Sequence, residues 1–333
     1  MAAIAVERLC KTFRSRLRPR GGRGRLRKLF TRPAVHDMPA VSDLSFEIAA
    51  GERVAFIGPN GAGKSTTLKI LTGILDPTSG HAEVAGLVPW QRRRQLAMHI
   101  GIVFGQRSQL WYHLPVRTSL DLIAAVYSID PSTYRSRLAR LVESFEIVDL
   151  LDRPVSQLSL GQRVRAEIVA ALLHAPTILL LDEPTIGLDV TAKAALRDHL
   201  NALSREERTT VLLTSHDTGD IERICERVIL IDHGRLLLDL PLERLRREFL
   251  RTRSIVLATD EERPSLDIAG VTTVATEPYR LTLAVDVAAT PIERVVETAL
   301  ARLSLRDIVI ENPPLEAVIA AIYRGEAPSR VPP

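Results

Sequence analysis

Short apolar runs recur along this 333-residue chain, and stretches with helical periodicity separate them. RVAFI at Arg53–Ile57, IGIVF at Ile100–Phe104, ILLL at Ile178–Leu181, TVLLT at Thr210–Thr214 and VILID at Val228–Asp232 read as strands. Ser65–Leu75 and Arg163–His174 carry helical patterns between them. This alternation predicts a largely parallel sheet with helices on its faces. Between Gln106 and Ser156 the strands stop. Ser119–Tyr127 and Tyr134–Phe145 read as helices, with a break at Asp130 and Pro131. That stretch predicts a mostly helical insertion in the α/β domain.

After about Phe249 the pattern changes. Arg280–Val287 alternates strictly, with Leu281, Leu283, Val285 and Val287 on one face. Thr290 suits a helix N-cap, Pro291 the first helical position, and Glu293 the closing residue of a capping box. Ile292, Val295, Val296, Ala299, Leu300 and Leu303 follow at helical spacing. A strand at Ile308–Ile310 and a helix from about Pro314 to Tyr323 complete a small α+β unit. The Pro-rich tail after Arg324 reads as loose.

Composition narrows the class. Hydrophobic residues make up 46% and charged residues 25%, which are globular values and exclude wholesale disorder. Between Arg8 and His36 stand eleven Lys or Arg and no Asp or Glu, so the net +4 divides into +11 there and −7 over the rest. No run approaches the roughly 18 apolar residues of a membrane-spanning helix. The first ten residues lack the basic start of a secretory signal. Cys10 and Cys225 form no metal or disulfide pattern, which fits a reducing cytosol. With aromatic residues at 4%, a base-stacking nucleic-acid platform is disfavoured, and no nucleic-acid partner is expected.

Candidate chemistry begins at Gly58, Pro59, Asn60, Gly61, Ala62, Gly63, Lys64 and Ser65, which fit GxxxxGK[ST]. Chance yields that pattern at about one position in 30,000, and here it lies between a strand and a helix. Glycines let the backbone approach a phosphate, and successive N–H groups cradle it at a helix N-terminus. Lys64 offers a charge for the β- and γ-phosphates, Ser65 a hydroxyl for Mg²⁺, and Thr66 follows on the same turn. Asp182 and Glu183 end the ILLL strand, at the sheet edge where ligands of open α/β sheets bind. Asp182 is placed to hold Mg²⁺ through water. Glu183 is placed to orient or deprotonate an attacking water.

Three further segments narrow the set. LSLGQ at Leu158–Gln162 precedes a helix, PTIGLD at Pro184–Asp189 follows the acidic pair, and Ser215-His216 follows the next strand. In that order and spacing, residues 4–245 resemble an ATP-binding cassette (ABC) transporter ATPase subunit. The resemblance implies ATP and Mg²⁺ as ligands and an α/β P-loop ATPase core with a mostly parallel sheet and a helical signature subdomain. It implies that Gln106 senses Mg²⁺ and the water, that Ser159, Gly161 and Gln162 belong to the loop that closes over the γ-phosphate, and that Asp189 lies at a dimer interface. His216 resembles the switch histidine at the γ-phosphate, and catalysis falls to Glu183, His216 and Gln106. Phe13 is the aromatic placed to stack on adenine, with core packing as its alternative. One departure is Leu160, where the family's signature has glycine.

The resemblance also implies two subunits, as a homodimer, closing around two ATP molecules, and a separate multi-span membrane subunit. That places the chain at the cytoplasmic face of the cell membrane. VFGQRSQLWYHLP, QLSLGQRVRAEIVAALLHAP and DEPTIGLDV look most like the drug- and antibiotic-export branch, in particular viologen-exporter-like subunits. The energy subunit of an importer and an ABC ATPase acting on nucleic acid are the rival readings. Trp111 and Tyr112 read either as a membrane-subunit contact or as subdomain packing. The expected organisation is an ATPase domain at 1–248, with a basic insert at 13–40 and the helical subdomain at 106–175. An α+β accessory domain at 249–324 and a tail at 325–333 follow. The insert reads as a solvated loop, a contact for anionic lipid or the membrane subunit, or a nucleic-acid contact.

Overall fold

The computed structural model describes residues 2–16, 35–105, 108–249, 252–287, 289–311 and 315–323. Gln106, most of the basic insert and the tail from 325 lie outside the described residues. Chain contacts divide the protein into two units, Met1–Leu240 and Pro241–Pro333.

The first unit opens with β1 (Ala2–Arg16), β2 (Val35–Ala49), β3 (Arg53–Ile57), α1 (Lys64–Leu71), β4 (Ser79–Val84), α2 (Arg93–Ala97) and β5 (Ile100–Phe104). Helices α3 (Val116–Val126), α4 (Pro131–Ser144) and α5 (Leu160–Leu172) follow. Then come β6 (Ile178–Asp182), α6 (Val190–Glu207), β7 (Thr210–Thr214), α7 (Thr218–Ile224), β8 (Arg227–Asp232) and β9 (Arg235–Pro241). The six-stranded sheet has the order β5-β6-β7-β3-β8-β9, and its pairings from β5 to β8 are all parallel. The β8–β9 connection is a two-residue turn, which only an antiparallel pair permits. The five strands read between Arg53 and Asp232 all fall in this sheet.

A second sheet, β2-β1-β4, is antiparallel and was not legible as strands. Its register slips between Val6 and Leu9, and Arg8 and Asp43 take left-handed φ of 44° and 55°. Those irregularities break the period-two alternation on which a strand is recognised. Ile4, Val6, Leu9, Leu44, Phe46 and Ile48 nonetheless share one core with Val54, Phe56, Leu180, Leu212, Ile229 and with Leu68 and Leu71 of α1. The glycine loop between β3 and α1 is therefore anchored at both ends in that core.

The helical stretch also differs in its boundaries. Helix α4 starts at Pro131, three residues before the expected Tyr134. The Asp130 carboxylate accepts from the Ser132 and Thr133 amides at 2.9 and 3.1 Å, so the Asp-Pro pair opens the helix. Among the described residues, no helix is long and apolar enough to cross a membrane.

The second unit contains α8 (Leu242–Phe249), β10 (Thr252–Thr259), β11 (Val271–Glu277), β12 (Arg280–Asp286), α9 (Ile292–Arg302), β13 (Leu305–Glu311) and α10 (Leu315–Tyr323). Its antiparallel sheet has the order β11-β12-β10-β13. Leu281, Leu283 and Val285 point into a core with Ile255, Leu257, Val295, Ala299 and Leu303, while Val287 lies beyond the strand. The capping box expected at Thr290 does not form. Pro291 is the N-cap, and the buried Thr290 hydroxyl donates 2.8 Å to the Ala269 carbonyl. A hydroxyl shut away from water bonds the acceptor in reach, and here that is a neighbouring loop.

Candidate functional site

The phosphate-loop motif turns between β3 and α1. Gly61 and Gly63 have φ of 86° and 105°, a region that costs an L-residue about 1–2 kcal/mol. At Gly63 a Cβ would also meet the Ala40 carbonyl oxygen at 2.4 Å, so the position excludes every side chain twice over. Lys64 is buried, and its ammonium donates to the Gly58 and Pro59 carbonyls at 2.6 and 3.3 Å. The cation thus lies against the glycine loop at the N-terminus of α1, a combination suited to an anion.

Across from the loop stands the end of β6. Asp182 accepts a 2.7 Å bond from Thr214 Oγ1, and its other oxygen lies 3.4 Å from Ser65 Oγ. Thr214, on the neighbouring β7, also accepts from the Glu183 amide through its hydroxyl at 3.1 Å and its carbonyl at 3.0 Å. Glu183 sits at φ 53°, a left-handed conformation rare for such a residue. Its carboxylate lies 2.6 Å from His216 Nδ1. Thr214 fixes both acidic residues, and sequence reading missed it because a threonine ending a strand carries no signal of its own.

These groups line one cavity of about 940 Å³ with Gly58–Thr66, Ala40, Gly105, Asp182, Glu183 and His216 on its wall. Ile74, Phe104 and Ile186 add apolar surface to it. A nucleoside triphosphate fits that mixture of a glycine loop, two lysines (Lys64 and Lys69) and apolar walls. The pairing of Ser65 with Asp182 suits a small hard cation, because Mg²⁺ takes few protein oxygens and completes its shell with phosphate and water. Among the described residues, no group of three or more His, Cys, Asp or Glu is disposed for a metal.

Other expected site residues stand elsewhere. Phe13 is 42% exposed on the β1–β2 ribbon opposite Met38, with the Lys11 ammonium 5.5 Å from its ring, and it is not part of the cavity wall. Ser159 caps α5: its hydroxyl accepts from the Gln162 amide at 3.3 Å, and the Gln162 side chain accepts from the Ser159 amide at 2.9 Å. Gly161 packs on Ala192 and Leu188, where an added Cβ would come within 3.2 Å of the alanine. Leu160 lies against Gly187, whose φ is 75°. Asp189 caps α6 by accepting from Ala192 N at 2.8 Å. None of Ser159, Leu160, Gly161, Gln162 and Asp189 lines the cavity.

Charge continues behind the site. Asp217 accepts from Lys193 at 2.6 Å and Arg197 at 2.8 Å. Burial works to raise its carboxyl, but those two cations outweigh it and hold the group below the ordinary range. Glu167, buried on α5, is raised chiefly by burial, against the Ser108 hydroxyl and Arg163.

The family model for the ABC transporter matches residues 41–186. The chain is 33% identical over 206 residues to the ABC transporter ATP-binding protein NatA of Bacillus subtilis (strain 168), covering 62% of this chain and 83% of that protein. It is also 33% identical over 201 residues to the probable multidrug ABC transporter ATP-binding protein YbhF of Escherichia coli (strain K12), where it spans 34% of the relative and 60% of this chain. Among solved structures, a dimeric bacterial ABC transporter cassette, MJ0796, superposes with a TM-score of 0.59 at 25% identity, over 72% of this chain and 98% of that one.

Proposed function

Because the chain belongs to the family of ABC transporter ATP-binding proteins and is an ATPase, we propose that it powers an exporter of drugs or similar small molecules from the cytoplasmic face of a membrane. The observation that carries the site reading is the single cavity shared by the glycine loop, Asp182, Glu183 and His216. In this reading the amides of Gly61 and of Gly63–Ser65, with the Lys64 ammonium, hold the β- and γ-phosphates. Ser65, Asp182 and Gln106 hold Mg²⁺, whose charge offsets that of the phosphates. Glu183 takes the proton of the attacking water, and His216, paired with it, touches the γ-phosphate.

The signature residues support a two-subunit site. Ser159, Gly161 and Gln162 stand off the cavity wall of their own chain, so a second copy must bring its signature to this nucleotide. The α5 N-terminus would then face the γ-phosphate, with Asp189 at the junction. The sequence reading gives the ATPase 1–248 and an accessory unit 249–324, a boundary eight residues past the division at Leu240 that chain contacts make. A separate multi-span subunit supplies the pathway, with Trp111 and Tyr112, 43% and 55% exposed, as its contact. The relative described as a multidrug transporter protein supports export.

Glu183→Gln tests the site. Turnover should fall about 10²–10⁴-fold with nucleotide binding kept, and ATP should trap a dimer visible by light scattering. Undiminished turnover would overturn the assignment of the base. Co-purification from the source organism tests the direction: a multi-span partner alone supports export, whereas an accompanying solute-binding protein turns the reading to import.

A further inference from the structure

Glu183 and His216 sit on different loops, and what holds those loops in register is not their mutual contact. His216 is 66% exposed, and a contact to so exposed a side chain contributes too little to fix a geometry. Glu183 is also strained, and a strained residue persists only where its surroundings over-determine it. The support lies one layer deeper. Asp220, on α7, is 0% exposed. Its Oδ2 accepts from the Thr185 hydroxyl at 2.5 Å and from the Ser215 hydroxyl at 2.7 Å. Its Oδ1 accepts from Arg197 Nε at 2.7 Å. Thr185 stands two residues after Glu183, and Ser215 one residue before His216.

We propose that Asp220 is a positioning residue for hydrolysis: one buried carboxylate clamps the Glu183 loop and the His216 loop to a common point. The clamp is charge-balanced. Arg197 bridges Asp220 to Asp217, and Lys193 completes a set of two acids and two bases, the condition under which a buried charge is tolerated. It is also packed shut, because a Cβ at Gly219 would lie 2.9 Å from the Arg197 guanidinium. Each loop is thus tied to the same oxygen through a hydroxyl, and a small displacement there is expected to misplace the reacting groups without disturbing the phosphate loop.

The inference rests on the reading of Glu183 as the base, and the experiment separates the two. Thr185→Val keeps the shape and removes the hydroxyl; Thr185→Ser keeps the hydroxyl. In the full-length chain, Thr185→Val should lower kcat at least tenfold, with KM for ATP, the Kd of a fluorescent ATP analogue and the melting temperature unchanged within twofold and 3 °C as a rough margin. Thr185→Ser should restore most of the rate. Asp220→Asn should lose at least as much, and combining it with Thr185→Val should add little. A Thr185→Val kcat within twofold of the parent, equal damage from Val and Ser, or losses that follow the melting temperature would each overturn the clamp. If Glu183→Gln itself turns over normally, the base assignment has failed instead.

Discussion

The ring of His174 should make the first unit lose stability in mild acid. It stacks on Tyr127 with centroids 4.0 Å apart and planes 11° from parallel. Its Nε2 lies 3.0 Å from the Ile100 carbonyl. A carbonyl only accepts, so Nε2 carries the hydrogen, and Nδ1 is left buried without a partner. Burial is the main cause that lowers the ring's pKa from 6.5 to about 4; Arg137 adds to it and the Ile100 bond opposes it. The unfolded chain therefore takes up its proton near pH 6.5 and the folded chain only near 4. Stability is whole above 6.5 and drains as pH falls through that window. The two values give a loss of about 2 kcal/mol at pH 5 and about 3 kcal/mol below pH 4, a large share of an ordinary folding free energy. Urea unfolding followed by tryptophan fluorescence reads it directly, because Trp90 and Trp111 are the chain's two tryptophans and both lie in the first unit. His174→Phe keeps a ring against Tyr127 and cannot protonate. The parent should lose about 2 kcal/mol more than this variant between pH 7.5 and pH 5; superimposable pH profiles would refute the reasoning.

Three other outcomes are expected. Gly63→Ala, with its positive φ and its clash against Ala40, should weaken ATP binding at least tenfold by calorimetry while the far-ultraviolet circular dichroism stays that of the parent. Removing Mg²⁺ with EDTA should stop hydrolysis but leave nucleotide bound, and Ser65→Ala should raise the Mg²⁺ concentration needed for half-maximal rate. Arg137→Ala should cost about 2 kcal/mol in urea unfolding, because Arg137 bonds both Glu207 oxygens at 3.2 and 3.0 Å and the Leu172 carbonyl at 2.9 Å, leaving Arg140 as the remaining cation on that carboxylate among the described residues. Arg137→Lys should recover less than half of that loss, since an ammonium lacks the planar fork.

The parallel sheet was legible because its strands are buried runs of Val, Ile and Leu, and the phosphate loop because its glycines follow one of them. The acidic pair was legible for the same reason: Asp182 and Glu183 interrupt an apolar run at its end. Where signals were long-range, the sequence was silent. Nothing near Asp220 announces Thr185 or Arg197, which stand 35 and 23 positions away; Arg197 reaches it through the packing of α6 against α7, and Thr185 from the loop after β6. Thr214 supports Asp182 from a neighbouring strand. Thr290 shows the converse: its local pattern fits a capping box, and a tertiary acceptor took the hydroxyl. Register slips in β1 and β2 hid a whole sheet, because these half-exposed strands carry no continuous apolar run and the slips break the period-two alternation that would have marked them.

The backbone turn at Glu183 sets the residue best for the fold apart from the residue best for the chemistry. Glycine or asparagine would relax a φ of 53°, and neither can take a proton from water. Selection for heat resistance alone would therefore drift toward an inert protein at this position, while selection for turnover holds the glutamate and accepts the lower melting point. Thermal stability and activity are thus opposed at a single torsion angle, and any effort to harden this ATPase should leave that residue alone and look for its gains elsewhere.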